Sequence, residues 1–304
     1  MKKKQLGSSD LFVSRIGLGC MSLGTDYTHA KRLIDTAIEN GINYLDTADL
    51  YDNGVNEEII GKAVKNRRSD LILATKAGNR RISGKDGWTW DPSKAHIKEA
   101  VKGSLKRLQT DYIDLYQLHG GTIEDNIDET IEAFEELKTE GLIRHYGISS
   151  IRPNVIREYL QKSSIVSIMM QYSLLDRRPE ELFPLIEQHG VSVIARGPMA
   201  KGLLSGRPLN TAGTERENGY LSYSFEELQK ALPEIKEAGK PHSAAEAAIQ
   251  YCLHSDAVAA AIPGASKEEQ IMENASAAAA SALRTEQIER LREAAKPTYY
   301  EQHR

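Results

Sequence analysis

The sequence predicts a (β/α)8 TIM barrel with an N-terminal β-hairpin and a C-terminal extra helix. Three observations carry the prediction. Eight short apolar runs recur along the chain, the segments between them have helical spacing, and eight such units fit within 304 residues. A parallel strand covered on both faces reads as a continuous apolar run. Parallel neighbours need a crossover connection, usually a helix. Eight units in roughly 250 residues is the ordinary size of such a barrel.

The elements follow in order. Residues 4–13 set Gly7-Ser8-Ser9-Asp10 between apolar residues, Leu6 before and Leu11-Phe12-Val13 after, as a hairpin closing the bottom of a barrel would. Strands are expected at 16–19, 42–45, 71–75, 112–118, 143–148, 166–170, 191–195 and 258–262. Helices are expected at 29–40, 57–65, 93–108, 128–139, 154–161, 179–188 and 244–253. Gly41, Gly141 and Gly190 stand where three of these helices must stop, which suits a left-handed cap. Two stretches break the alternation. Residues 206–243 are long and polar and read as a mobile loop with a helix around 225–230, and residues 285–295 carry the spacing of an additional helix. No composition shift marks a boundary, so residues 1–304 are taken as a single domain.

Bulk properties narrow the class of function. There are 39 basic and 43 acidic residues, a formal charge of −4, and no long block of one sign. Such a balance argues against binding nucleic acid through phosphate contacts. The basic start, Met1-Lys2-Lys3-Lys4, runs into polar residues rather than an apolar signal core. No segment approaches the ~20 apolar residues that span a bilayer. Cys20 and Cys252 are too few for a disulfide framework or a cysteine-rich metal site. A cytoplasmic protein with a small-molecule substrate, no metal, and no membrane or nucleic-acid partner is the expectation.

One motif is a decoy. Gly17-Leu18-Gly19-Cys20-Met21-Ser22 nearly matches the dinucleotide fingerprint, and Asp46 ends the next strand where a ribose-binding acid would. The last glycine is absent, however, and the next helix begins well beyond the turn. The βα units also outnumber those of one Rossmann domain. The match is a strand-end glycine turn.

In a barrel of this kind the chemistry lies at the C-terminal ends of the strands. Those ends carry Asp46-Thr47-Ala48-Asp49-Leu50-Tyr51, then Thr75-Lys76, Leu118-His119, Ser149-Ser150 and Gln171-Tyr172. Asp46-Thr47-Ala48 with Tyr51, Asn56-Glu57 and Gly61 resembles the aldo-keto reductase signature. So does the run from Leu105 through Arg107-Leu108 and Thr110–Tyr116 to His119. Gly141, Ile143-Arg144 and Gly147-Ile148-Ser149 are similar to a third segment of that family, and Ile262-Pro263-Gly264 to a fourth. The similarity covers nearly the whole chain in family order.

The resemblance implies a catalytic tetrad of Asp46, Tyr51, Lys76 and His119. Tyr51 would give a proton to the carbonyl oxygen, although a free phenol, with a pKa of about 10, is a reluctant acid. Lys76 would favour the phenolate and lower that value, Asp46 would hold Lys76 charged, and His119 would orient the carbonyl. Singly, each has an ordinary structural role: a helix cap, a core aromatic, a surface lysine, a packed histidine. Together, at successive strand ends, they point to chemistry.

The resemblance also implies NADPH/NADP+ extended across the barrel mouth. Gly19, Cys20 and Met21 would border the nicotinamide, with Asp46 nearby, while Ser149 and Gln171 bond its carboxamide. Ser150 stands where the family commonly has asparagine. Arg196 replaces the usual aromatic that stacks on the nicotinamide; a planar guanidinium can stack as well but adds charge. Gly197, Pro198, Lys201, Gly202, Leu203 and Arg207 would meet the pyrophosphate. Gly264, Ser266, Lys267, Gln270, Glu273 and Asn274 would meet the adenosine end, with Lys267 facing the 2′-phosphate. Ser266 and Glu269 also have the spacing of a capping box.

The substrate is expected to be a small aldehyde or ketone, and Tyr27, Trp88 and Trp90 are candidate pocket residues, the two tryptophans lying within 76–92. The rivals are a Schiff-base aldolase or isomerase on Lys76 and an NADPH-binding redox sensor with little turnover. A monomer is the family-based default.

Overall fold

The computed structural model describes residues 1–82, 87–209 and 219–304. Residues 83–86 of the loop between 76 and 92, and residues 210–218 of the long polar stretch, lie outside the described residues. The chain opens with a hairpin, β1 (Lys3–Gln5) paired antiparallel to β2 (Phe12–Ser14). The barrel wall follows: β3 (Leu18–Gly19), β4 (Tyr44–Asp46), β5 (Ile72–Ala77), β8 (Ile113–Leu118), β9 (Ile143–Ser149), β10 (Ser167–Gln171), β11 (Ser192–Arg196) and β12 (Val258–Ile262). These eight strands are parallel to their neighbours in that order. The two edges meet where Ile16 bridges Ala261 and Gly19 bridges Gly264.

The crossovers are the expected helices: α1 (Tyr27–Glu39), α2 (Val55–Val64), α3 (Lys94–Leu108), α4 (Ile127–Thr139), α5 (Pro153–Lys162) and α6 (Phe183–Gln188). The eighth strand is reached through α7 (Phe225–Ala238) and α8 (Ala244–His254), and α9 (Glu268–Ala279) and α10 (Thr285–Ala294) follow it. Side-chain caps start several of them. Asp26 accepts from His29 N at 2.6 Å, and Ser224 and Ser243 form capping boxes with Glu227 and Glu246. Gly41, Gly141 and Gly190 have φ of +81°, +74° and +65°, the left-handed stop their positions predict.

The barrel interior is filled from below. Leu6, Leu11 and Val13 of the hairpin join Tyr44, Ile72, Ala74, Leu115, Met169, Ile194 and Ala260 in one buried apolar cluster. Gly7 makes the plug possible: its φ is +56°, and a Cβ there would lie 2.3 Å from Val166 O. Its amide donates to Ser192 Oγ at 2.8 Å.

The structure departs from the sequence expectation in four places. The loop between β5 and α3 contains a second hairpin, β6 (Asn79–Arg81) with β7 (Trp88–Trp90). The helix expected around 225–230 runs on to Ala238, burying Leu228, Ala231, Ile235 and Ala238. Pro233 does not stop it, because Pro233 and Gln229 are both exposed and water can serve the carbonyl that loses its partner. The helix after β12, α9, is implied by the Ser266–Glu269 spacing but its extent is not. The Ser266–Glu269 capping box does not form: the helix begins with Lys267 as its N-cap, and Ser266 bonds Gln270 Oε1 instead. Among the described residues no helix is long and apolar enough to cross a membrane.

Candidate active site

Strand periodicity builds the site. Side chains two residues apart on a strand share a face. Tyr44, Ala74, Leu115, Met169 and Ile194 belong to the interior cluster, so the residues two further on also face the barrel axis. Those residues are Asp46, Lys76, Gln117, Gln171 and Arg196. An apolar layer is thus capped by a polar one at the C-terminal rim.

Lys76 and Asp46 are 1% and 5% exposed. The Lys76 ammonium donates to Asp46 Oδ2 and to Thr47 O, both at 2.7 Å, and Gln117 Nε2 donates to Asp46 Oδ1 at 3.4 Å. Burial pushes the Asp46 carboxyl above its usual range, against the pull of Lys76 and then Gln117. Burial likewise works against the Lys76 ammonium. Asp46 first, then Tyr51, outweigh it and hold Lys76 above the ordinary lysine value. With two donor contacts on one ammonium, the geometry is that of an ion pair.

Tyr51 opens a 3-10 turn, Tyr51–Gly54, in which Asp52, Asn53 and Gly54 take φ of +46°, +61° and +90°. The turn brings the phenol back over the rim. Lys76 Nζ lies 5.4 Å from its ring centroid, and the His119 ring meets it edge-on at 6.1 Å. The sequence reading expected Lys76 to lower the phenol pKa. Burial is the larger effect and raises it, with Lys76 pulling the other way. The phenol therefore keeps its proton at neutral pH, and the ammonium acts on whatever charge forms when the proton leaves. Burial, then Lys76 and Arg196, push His119 down to about 3. Its imidazole is neutral, and Nδ1 is buried with no partner.

The expected cofactor residues are distributed around the same rim. Gly19, Cys20 and Met21 leave β3, Cys20 fully buried and Met21 64% exposed. Asn56 ties this loop to the tetrad, its Nδ2 donating to Cys20 O at 2.8 Å while its Oδ1 accepts from Thr47 Oγ1 at 2.7 Å. Ser149 ends β9. The Ser150 hydroxyl accepts from Arg152 N at 3.2 Å, so it first shapes its own turn. Gln171 and Arg196 are paired in register on neighbouring strands, and Arg196 Nη1 donates to Gln171 Oε1 at 3.1 Å. Gly197 and Pro198 lead to Ala200, Lys201 and Gly202, whose φ values are +47°, +57° and +95°. Within this run the Ala200 and Gly202 amides are already bonded, to Gly197 O at 3.0 Å and to Met199 O at 2.8 Å. A Cβ on Gly202 would meet nothing within 4 Å. Leu203 is buried, and Lys201 and Arg207 are exposed. Across the seam, Gly264, Ser266, Lys267 and Glu273 are exposed, Gln270 is half-buried and Asn274 is buried.

A cavity of about 860 Å³ opens at Gly120, the residue after His119, and is lined by Gly120, Gly121, Ser149, Ser150 and Arg196 together with 296–303. The sequence reading missed this C-terminal tail, which has no periodicity to reveal it. Missed too was Gln117, although a glutamine inside an apolar strand signals a buried partner. Trp90 lies against the site: its ring fills the space over Gly78 and Gly120, and its Nε1 donates to Asp125 at 3.0 Å. Trp88 is 51% exposed, and Tyr27 packs under Lys62, whose Nζ is 3.9 Å from the ring centroid. None of the three lines the cavity.

A family model described as the aldo/keto reductase family matches residues 15–296. The uncharacterized oxidoreductase YqkF of Bacillus subtilis (strain 168) is 64% identical over 305 residues, covering 100% of both chains. The NADH-specific methylglyoxal reductase of Escherichia coli (strain K12) is 34% identical, over 91% of this chain and 93% of its own. The holo form of aldo-keto reductase AKR11C1 from Bacillus halodurans has a TM-score of 0.95 at 62% identity, covering 100% of this chain and 99% of that one.

The depressed pKa of His119 has a measurable consequence for stability. The unfolded chain takes up this proton near pH 6.5 and the folded chain only near 3. The stability from a neutral His119 is therefore full above 6.5 and is lost as pH falls from there toward 3. Chemical denaturation at pH 7 and pH 5 should show His119→Gln losing less stability on acidification than wild type. The difference should approach about 1.4 kcal/mol per pH unit. Equal losses in both proteins would mean that His119 protonates freely in the fold.

Proposed function

The chain belongs to the aldo/keto reductase family, and from that premise we propose that it reduces aldehydes or ketones to alcohols with NADPH, Tyr51 giving the proton. The observation that carries the proposal is a buried ammonium, Lys76, held by Asp46 and set beneath a protonated phenol and a neutral histidine. When bound, the reduced nicotinamide supplies hydride to the carbonyl carbon. The residues of this chain do the rest. His119 meets the carbonyl oxygen through an imidazole that carries one N–H. Tyr51 donates its hydroxyl proton to that oxygen. The Lys76 ammonium stabilises the phenolate left behind, so its effect is greatest after the proton has moved, as catalysis requires. Asp46 keeps Lys76 charged, and Gln117 and the Thr47 carbonyl fix its position.

The residues present fit such a cofactor. The left-handed run Ala200–Gly202 leaves open space beside Gly202 for a pyrophosphate, and the exposed Lys201 and Arg207 add charge. Ser149 and the Gln171 amide would bond the carboxamide. NADPH is preferred in our reading because Lys267 is exposed beside Ser266 and forms no ion pair among the described residues. One relative is named as NADH-specific, so this choice rests on Lys267 and not on family membership.

Arg196 also bears on the cofactor. It is tied to Gln171, and its charge already pulls the pKa values of His119 and Tyr51 downward. A guanidinium against the nicotinamide disfavours the oxidised, positively charged ring more than the neutral reduced one. Arg196→Tyr should therefore narrow the ratio of NADP+ to NADPH dissociation constants measured by fluorescence titration. An unchanged ratio would remove the bias from the account.

The function itself is tested by NADPH oxidation with a panel of simple aldehydes. Wild type should turn over several of them. Tyr51→Phe should lose about 10²–10⁴-fold in kcat, the usual worth of a positioned acid, while still binding NADPH. Turnover that survives in Tyr51→Phe would show that another group supplies the proton.

A further inference from the structure

The cavity that opens at Gly120 is lined by four cations, and they are not equivalent. Arg178 is locked in a two-point pair, its Nε and Nη2 each 2.7 Å from an oxygen of Asp176. Lys296 donates to Ser222 O and to both oxygens of Glu227. Arg152 and Arg196 form no ion pair with any carboxylate among the described residues. Arg196 gives one nitrogen to Gln171 and stands where the cofactor is expected. Arg152 is different. It precedes α5 and commits only Nη1, to Gly121 O. Its Nε and Nη2 have no partner among the described residues, although a guanidinium offers five N–H donors in a rigid fork.

Its location gives that unused charge a purpose. Gly121 is two residues beyond His119, so their Cα atoms are at most about 7.6 Å apart. Arg152 therefore sits at the cavity wall with its Nη1 on a carbonyl two residues from His119. The cofactor's phosphates do not account for it. Their expected seats follow β11 and β12, whereas Arg152 follows β9, two and three strands away in the sheet.

Resting on the reductase reading, we propose that the preferred substrates are carbonyl compounds bearing a carboxylate a few carbons from the carbonyl, and that Arg152 selects them. A planar guanidinium matches a carboxylate in two-point geometry. Asp176 and Glu301 also face the cavity.

The test compares 4-oxobutanoate with its uncharged methyl ester, using NADPH and wild type, Arg152→Gln and Arg152→Lys. Wild type should favour the acid by about tenfold or more in kcat/KM, the factor that ~1.4 kcal/mol supplies. Arg152→Gln should lose the preference through the KM of the acid alone, and Arg152→Lys should recover part of it. Retained ester turnover shows that each variant is folded. The idea is overturned if wild type handles acid and ester equally, or prefers a phosphorylated aldehyde. It is also overturned if Arg152→Gln loses both substrates alike, which would make Arg152 only a brace for Gly121. Calorimetric binding of succinate to the NADPH complex separates this proposal from the reading beneath it. Succinate bound by wild type and not by Arg152→Gln, with no carbonyl turned over, would keep the anion site and sink the reductase. Neither binding nor turnover would sink the anion site as well.

Discussion

The buried contact between Lys76 and Asp46 is the interaction around which the site is organised. Moving two ions from water into a protein interior costs several kcal/mol each after relaxation, and only close mutual contact with further hydrogen bonds offsets it. Here Thr47 O and Gln117 supply those further contacts. The result is a fixed positive charge in a place water cannot screen. Everything around it responds to that charge. His119 stays neutral partly because an ammonium is nearby, and the phenolate of Tyr51 would form against a ready counter-ion.

The fold supports this arrangement by putting apolar residues directly beneath it. Each wall strand that contributes a polar side chain to the rim contributes an apolar one two residues earlier. The hairpin's Leu6, Leu11 and Val13 then close the floor. Cross-strand register does the rest. Asp46 pairs with Ala74 and Gln171 with Arg196, so residues far apart in sequence come to one level. Asn56 fastens the turn after β4 to the loop after β3 through Thr47 Oγ1 and Cys20 O. The side expected to border the cofactor and the side that gives the proton are thus held in one network.

Most of this order is visible in the sequence, because strand alternation is local. The apolar runs locate the strands, and a polar residue two places past an apolar one marks the rim. Tertiary detail is less accessible. Helix α7 outruns its expected end because exposure of Pro233, which decides whether a proline is tolerated, is not a local property. The loop carrying Trp88 and Trp90 pairs into a hairpin that the strand periodicity does not show, although Asp86-Gly87 is a turn dipeptide. The tail at 296–303 has no period, yet it walls the cavity. The role of Arg152 depends on Gly121 O lying next to it, a meeting of β8 and β9 loops that spacing cannot predict. The direction of the Tyr51 shift was also hidden, since a neighbouring lysine can be guessed from a motif and depth of burial cannot.

The central claim is that Asp46 holds the proton on Lys76 and so keeps the site competent. The most direct measurement is the pH dependence of the single-turnover rate of carbonyl reduction in wild type and Asp46→Asn. Asp46 raises the pKa of both Lys76 and Tyr51. Without its charge, the alkaline fall in rate should move to lower pH. An alkaline limb that stays in place, or moves upward, would contradict the account.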